Sequence, residues 1–127
     1  VAMASLDALF AARLDAGVPV DMVLVDTEGN DALVLLGAPR ALASARYVEF
    51  ENHCCSAWKD FHLRWAVEYL DTLGFDCYWA GAQLYKVTRC WHDAYDAFKE
   101  WSNVACAKRG DPWAGVMQEL WERRPGR

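Results

Sequence analysis

Residues 20–29 read VDMVLVDTEG, and this stretch decides the fold. Its segment Met22–Val25 is a continuous apolar run that stops at Asp26. A run of this kind is typical of a strand buried on both faces of a parallel sheet. We therefore predict the first strand of an α/β sheet here, ending at Asp26.

A helix and a second strand follow. Leucines recur at helical intervals over residues 31–43, and Pro39 is expected to end this helix early or to kink it. Residues 46–51, RYVEFE, predict the second strand. Strand, helix and strand in this order form a βαβ unit, whose two strands are parallel.

The remaining chain predicts a helix, a hairpin and a helical extension. Aromatic side chains at helical spacing predict a helix over residues 58–73. Residues 75–79 and 83–88 predict two short strands joined as a hairpin, and residues 91–127 predict helices. The fold class is thus predicted to be α/β, with parallel strands, a terminal antiparallel hairpin and flanking helices.

Such a sheet would be thin, because open sheets usually contain more strands. Its first strand would be an apolar, unpaired edge, which favours aggregation. The chain also begins with Val1 rather than Met. We therefore expect residues 1–127 to form one partial domain of a longer protein, with further strands before residue 1.

Composition excludes several classes of protein. The 127 residues carry 13 Lys and Arg against 18 Asp and Glu, a net charge of −5, which argues against a nucleic-acid binder. No apolar run approaches the roughly 18 residues of a membrane-spanning helix, and no basic segment suggests a secretory signal. The five cysteines form no CxxC motif. They are expected to be mostly reduced thiols, as in a cytoplasmic protein.

Acidic residues follow both predicted parallel strands. Asp26–Gly29 come after the first strand, and Glu49, Glu51 and His53 surround the end of the second. Adjacent strands lie about 4.8 Å apart, so Asp26 and Glu51 should approach within one bridging water or metal ion. Two carboxylates and an imidazole suit a general base or a divalent cation. A simpler alternative is that the acids complement a helix dipole and His53 is an exposed loop residue.

The segment 20–42, VDMVLVDTEGNDALVLLGAPRAL, resembles the signature of the FkbM-type S-adenosylmethionine-dependent methyltransferases. Residues 47–53, YVEFENH, and 74–88, GFDCYWAGAQLYKVT, resemble the next strand and the terminal hairpin of that family, in which one sheet strand runs antiparallel to its neighbours. The resemblance covers roughly residues 5–90. The signature residues are Asp21, Asp26, Glu28, Gly29, Leu33, Leu36, Gly37 and Ala38.

The resemblance implies the C-terminal half of a class I methyltransferase, with a Rossmann-like sheet and S-adenosylmethionine as cofactor. It implies methyl transfer to a hydroxyl oxygen of a small molecule, a sugar or a lipid. The glycine-rich cofactor loop of that family has no counterpart in this chain, which again implies a longer parent. The sequence leaves open a homo-oligomer and a divalent metal, for which Asp26 and Glu51 would be the ligands.

The resemblance also implies roles for the acidic residues. Asp26, Thr27, Glu28 and Gly29 would contact the cofactor. Asp26 would act as a base, a cofactor-orienting group or, with Glu51, a metal ligand, and Glu51 and His53 are further catalytic candidates.

Two other functions are open. The chain could be a non-catalytic, truncated paralogue that acts as a binding or dimerisation module. It could also be a metal-binding α/β domain of another class, with Asp26, Glu51 and His53 as ligands.

Overall fold

The computed structural model describes residues 3–123 and residue 125. The helices are α1 Leu6–Leu9, α2 Ala11–Asp15, α3 Asp31–Leu36, α4 Pro39–Ser44, α5 Leu63–Thr72, α6 Ala94–Ala97 and α7 Pro112–Glu122, with a 3-10 turn at Ser56–Lys59. The strands are β1 Met22–Val25, β2 Tyr47–Asn52, β3 Phe75–Ala80, β4 Leu84–Lys86 and β5 Ser102–Lys108. The ends of the predicted 1–127 domain lie outside the described residues.

Five strands of the described chain form one mixed sheet in the order β1-β2-β5-β3-β4. β1 and β2 are parallel, whereas β5 runs antiparallel to both of its neighbours. β3 and β4 form an antiparallel hairpin. The α/β class, the parallel pair, the hairpin and the edge position of β1 are therefore confirmed.

Proline and a local turn divide the predicted helices. Pro39 begins α4 instead of continuing α3, since proline lacks the N–H that a helix interior requires. The helix predicted over residues 58–73 is split into the 3-10 turn at Ser56–Lys59 and α5 at Leu63–Thr72. Its buried residues Trp58 and Leu70 nevertheless belong to the same core.

The prediction that residues 91–127 are helical is wrong for Ser102–Lys108, which form the central strand β5. The aromatic spacing that suggested a helix belongs to the short helix α6 and to the loop after it. In β5, the segment from Val104 to Ala107 is buried at four consecutive positions. Because helices cover both faces of the sheet there, the strand has no polar face and shows no period of two.

The two faces of the sheet are covered unequally. α3, α4 and α5 pack on the face that carries Val48 and Phe50, and α7 packs on the other face over β5 and β4. α7 does not extend to β1, where Leu24 is 64% exposed. The first strand is thus buried on one face, not on both as predicted. No helix in the described part of the chain is long and apolar enough to cross a bilayer.

A disulfide joins Cys77 and Cys106, which face each other across β3 and β5 with 4.0 Å between their Cα atoms. The prediction of reduced thiols is therefore wrong for this pair, because the strand pairing that brings the two cysteines together is invisible in the sequence. Cys54, Cys55 and Cys90 are free and exposed. Cysteine usage therefore no longer favours a reducing compartment such as the cytoplasm.

Replacing both Cys77 and Cys106 by alanine should lower the free energy of unfolding by about 3–4 kcal/mol, since the bond closes a long loop in the unfolded chain. Urea denaturation measures this loss. The matched control is Cys90→Ala, an exposed thiol whose removal should change stability by less than about 0.5 kcal/mol. Titration of five thiols in the unreduced, denatured protein would contradict the disulfide.

Candidate functional site

The carboxyl ends of β1, β2 and β3 meet the start of β5 at one edge of the sheet. At this edge a cleft of about 190 Å³ lies on the face that α7 leaves open. Asp26 and Glu51 both line it, because they follow the paired residues Val25 and Phe50. The structure thus brings together the two carboxylates that strand geometry predicted to be neighbours. The other lining residues are Leu24, Val25, Glu49 and Asn103.

The two glutamates of the cleft have different surroundings. Glu49 accepts hydrogen bonds from the Tyr47 hydroxyl (2.6 Å) and from the Asn103 amide (3.0 Å). Burial, and then the hydrogen bond to Glu49, raises the pKa of Tyr47, so this hydroxyl stays protonated and remains a donor. Glu51 Oε2 is buried and has no partner among the described residues. A donor group of a bound ligand would therefore supply the hydrogen bond that Glu51 Oε2 lacks.

Asp31 holds the loop Asp26–Gly29 against β2. Its side chain is fully buried and accepts hydrogen bonds from the Thr27 hydroxyl (2.9 Å) and the Gly29 N–H (3.3 Å) through one oxygen. The other oxygen accepts from the Glu51 N–H at 3.1 Å. One carboxylate thus ties the segment after β1 to the backbone of the candidate residue Glu51.

The same loop packs tightly against the segment after β2. Gly29 has a φ of +100°, and a Cβ there would lie 2.7 Å from His53 Cε1 and 2.9 Å from the Cys55 carbonyl oxygen. Ala57 N–H donates to the Gly29 carbonyl (3.0 Å), and the Ser56 hydroxyl donates to the carbonyl of Glu28 (3.2 Å). Glycine is required at this position both by its backbone conformation and by the space available.

His53 is neither exposed nor part of the acidic cleft. β2 ends at Asn52, so the alternation that would have placed His53 beside Glu51 does not continue. The imidazole is 1% exposed and stacks on Trp101, with ring centroids 4.1 Å apart. Its Nδ1 accepts a hydrogen bond from the Cys55 N–H (3.1 Å), and its Nε2 has no partner among the described residues.

Sequence reasoning missed Asp31, Asn103 and Trp101. Asn103 and Trp101 fell in a region predicted to be helical, so their position beside β2 could not be foreseen. Asp31 offered one signal, since an acid two residues after a turn glycine is a natural acceptor for the N–H groups of that turn. In the described residues, no group of three or more His, Cys, Asp or Glu side chains is arranged to hold a metal ion.

Comparison with protein-family models, curated proteins and solved structures found no match to this chain. The resemblance to the FkbM-type methyltransferases therefore stays a prediction from sequence motifs.

Gly29→Ala should destabilise the protein by about 1–3 kcal/mol more than Gly110→Ala, because only the first substitution forces atoms together. Gly110 is the matched control, since it has a φ of +87° and nothing within 4 Å of an added Cβ. Both variants carry the cost of a positive φ, and urea denaturation measures the difference. Equal losses would show that the loop does not press on His53 and Cys55.

Proposed function

We propose that this chain is the C-terminal half of a class I, FkbM-type methyltransferase domain that transfers a methyl group from S-adenosylmethionine to a hydroxyl of a small molecule. The observation that carries the proposal is the unpartnered Glu51 Oε2 in a cleft shared with Asp26. Ligands of open α/β sheets bind beyond the carboxyl ends of the strands, where this cleft lies.

The strand order supports the proposal. The resemblance implies a sheet strand that runs antiparallel to its neighbours, and β5 has this relation to both β2 and β3. The sequence motif had suggested the hairpin of residues 74–88 for this feature, but the antiparallel strand between parallel neighbours is Ser102–Lys108. The feature is thus present on a later segment than the motif indicated.

The donor groups of the cofactor fit the acids of the cleft. S-adenosylmethionine carries an ammonium group and hydroxyls, and the carboxylates of Asp26 and Glu51 are acceptors for such groups. When bound, the cofactor supplies the methyl group. Asp26 is exposed and begins the loop 26–29. Asp31 orders the backbone of this loop by accepting a hydrogen bond from the Gly29 N–H.

The chain's own residues would align the acceptor and remove its proton. Holding a hydroxyl in line with the methyl carbon supplies most of the rate gain expected for such a displacement. Asp26 and Glu51 are within reach of one small ligand in the cleft, and either carboxylate would accept the hydroxyl proton. His53 lies under Gly29, and we assign it the positioning of the loop and of Trp101.

Asp26→Asn should reduce turnover at least tenfold, which corresponds to about 1.4 kcal/mol of barrier. The wild-type protein and the variant are both prepared with any flanking sequence that the native protein carries. Formation of S-adenosylhomocysteine with a panel of hydroxyl acceptors is the assay, and Glu119→Gln, an exposed acid on α7, is the control. Unchanged turnover would show that Asp26 is not part of the site. A lack of S-adenosylmethionine binding in calorimetry would overturn the proposal.

A binding or dimerisation module is the second candidate, favoured by a groove of about 730 Å³ beside β1. β1 is the edge strand, and its outer side faces apolar side chains of the N-terminal helices, among them Leu6, Phe10 and Leu14. An edge strand with exposed Leu24 is a template for pairing with a second copy.

The isolated 127-residue chain should self-associate through the unpaired side of the edge strand β1. Leu24→Lys should shift the equilibrium towards monomer, because a charge on an edge strand blocks strand pairing. Light scattering with size-exclusion chromatography measures the mass over a range of concentrations. Leu120→Lys is the control, since Leu120 is 55% exposed on α7, away from the edge. A wild-type chain that is monomeric at all concentrations would contradict the dimerisation candidate.

A further inference from the structure

A second concavity opens at the same edge of the sheet as the acidic cleft. This aromatic groove has a volume of about 690 Å³, within the usual range for small-molecule sites. Its walls carry the rings of Trp79, Tyr85, Tyr95, Phe98 and Trp101. On β5, Ser102 lines the aromatic groove and the next residue, Asn103, lines the acidic cleft. Because consecutive side chains of a strand point to opposite faces, the two concavities lie on opposite faces of the sheet at the same strand ends.

Ring-to-ring packing builds one wall of the groove before any ligand binds. Trp79 makes edge-to-face contacts with Tyr95 (5.3 Å between centroids) and with Phe98 (5.1 Å). Such pairs are favourable and hold the rings in defined orientations. Phe98 nevertheless remains 41% exposed and Trp101 57% exposed. A bound molecule that covers these rings would therefore remove apolar surface from water.

Trp101 connects this groove to the buried imidazole of His53. The imidazole of His53 stacks on the indole of Trp101 with an interplanar angle of 18°. Because His53 covers one face of the indole, the opposite face is the one that a ligand can use. The stack also fixes the plane of the indole, since His53 is itself held by the Cys55 N–H.

Charge and hydrogen bonding limit the chemistry of the ligand. None of the described residues that line the groove carries a charge, so these residues do not compensate an ionic ligand. Two hydroxyls of the lining are engaged within the protein: that of Tyr85 donates to Gln83, and that of Ser102 donates to the Asn52 carbonyl. The buried Trp79 Nε1–H has no partner among the described residues and could donate to one acceptor of a ligand. A sugar needs many polar partners, whereas a flat ring needs mainly aromatic faces.

We propose that the aromatic groove binds an uncharged molecule with a flat, unsaturated ring system, stacked on Trp101 and against Phe98. The link to catalysis rests on the proposed function: the same molecule is then the methyl acceptor, and its phenol-type hydroxyl extends past the strand ends towards the acidic cleft on the opposite face.

The test is isothermal calorimetry of the full chain with 2-naphthol, a neutral two-ring phenol, without any cofactor. We expect a Kd below about 1 mM, weakened about tenfold or more by Trp101→Ala. Trp101→Phe should restore most of the affinity, because it keeps a ring face. Trp113→Ala is the matched control: Trp113 is 46% exposed but packs on Tyr47, at the opposite end of β2, so the Kd should change by less than about twofold.

Two further probes separate the alternatives. Methyl glucoside represents a sugar, and tetramethylammonium represents a cation held by aromatic rings. Tighter binding of either probe than of 2-naphthol would overturn the inference, and so would an unchanged Kd in Trp101→Ala. Phe98→Ala supplies a second variant if Trp101→Ala does not fold, as judged by circular dichroism.

The experiment also distinguishes this inference from the proposed function. Binding of 2-naphthol by a protein that transfers no methyl group would support the aromatic groove and contradict the methyltransferase. Methyl transfer by the native protein without 2-naphthol binding would overturn only the aromatic groove.

Discussion

The buried carboxylate of Asp31 is the interaction on which the sheet edge depends. It satisfies two donors of the loop after β1, the Thr27 hydroxyl and the Gly29 N–H, and one backbone donor of β2, the Glu51 N–H. The Gly29 N–H is buried, and leaving it without a partner would cost about 1–3 kcal/mol. Strand pairing places Asp26 beside Glu51, and Asp31 holds the loop after Asp26 against β2.

This constraint extends across the edge through direct contacts. The Gly29 loop lies on His53, His53 stacks on Trp101, and Trp101 forms part of the aromatic groove. Each contact involves a residue with little freedom: a glycine with a positive φ, a buried imidazole and a stacked indole. The acidic cleft and the aromatic groove thus open at the same strand ends but on opposite faces of the sheet.

The parts that could be predicted from the sequence are those with a local physical cause. The apolar run at Met22–Val25 and the segment of β2 specify a parallel pair, and strand spacing alone places Asp26 near Glu51. β5 was not predicted, because the helical spacing of the aromatic residues between 95 and 101 extended a predicted helix over this segment. The burial of His53 depends on Gly29 and Trp101, which are distant in sequence, so no local pattern reveals it.

The insertion of β5 between β2 and β3 has a consequence for how the chain folds. The last strand in sequence is the one that joins the parallel pair to the hairpin, so neither half can complete its hydrogen bonds until residues 102–108 are available. During synthesis the sheet must wait for this segment to leave the ribosome. Contacts of such long sequence separation also slow folding, because a large loop must close before they form. Residues 102–108 thus determine when the sheet, and with it both concavities at its strand ends, can form.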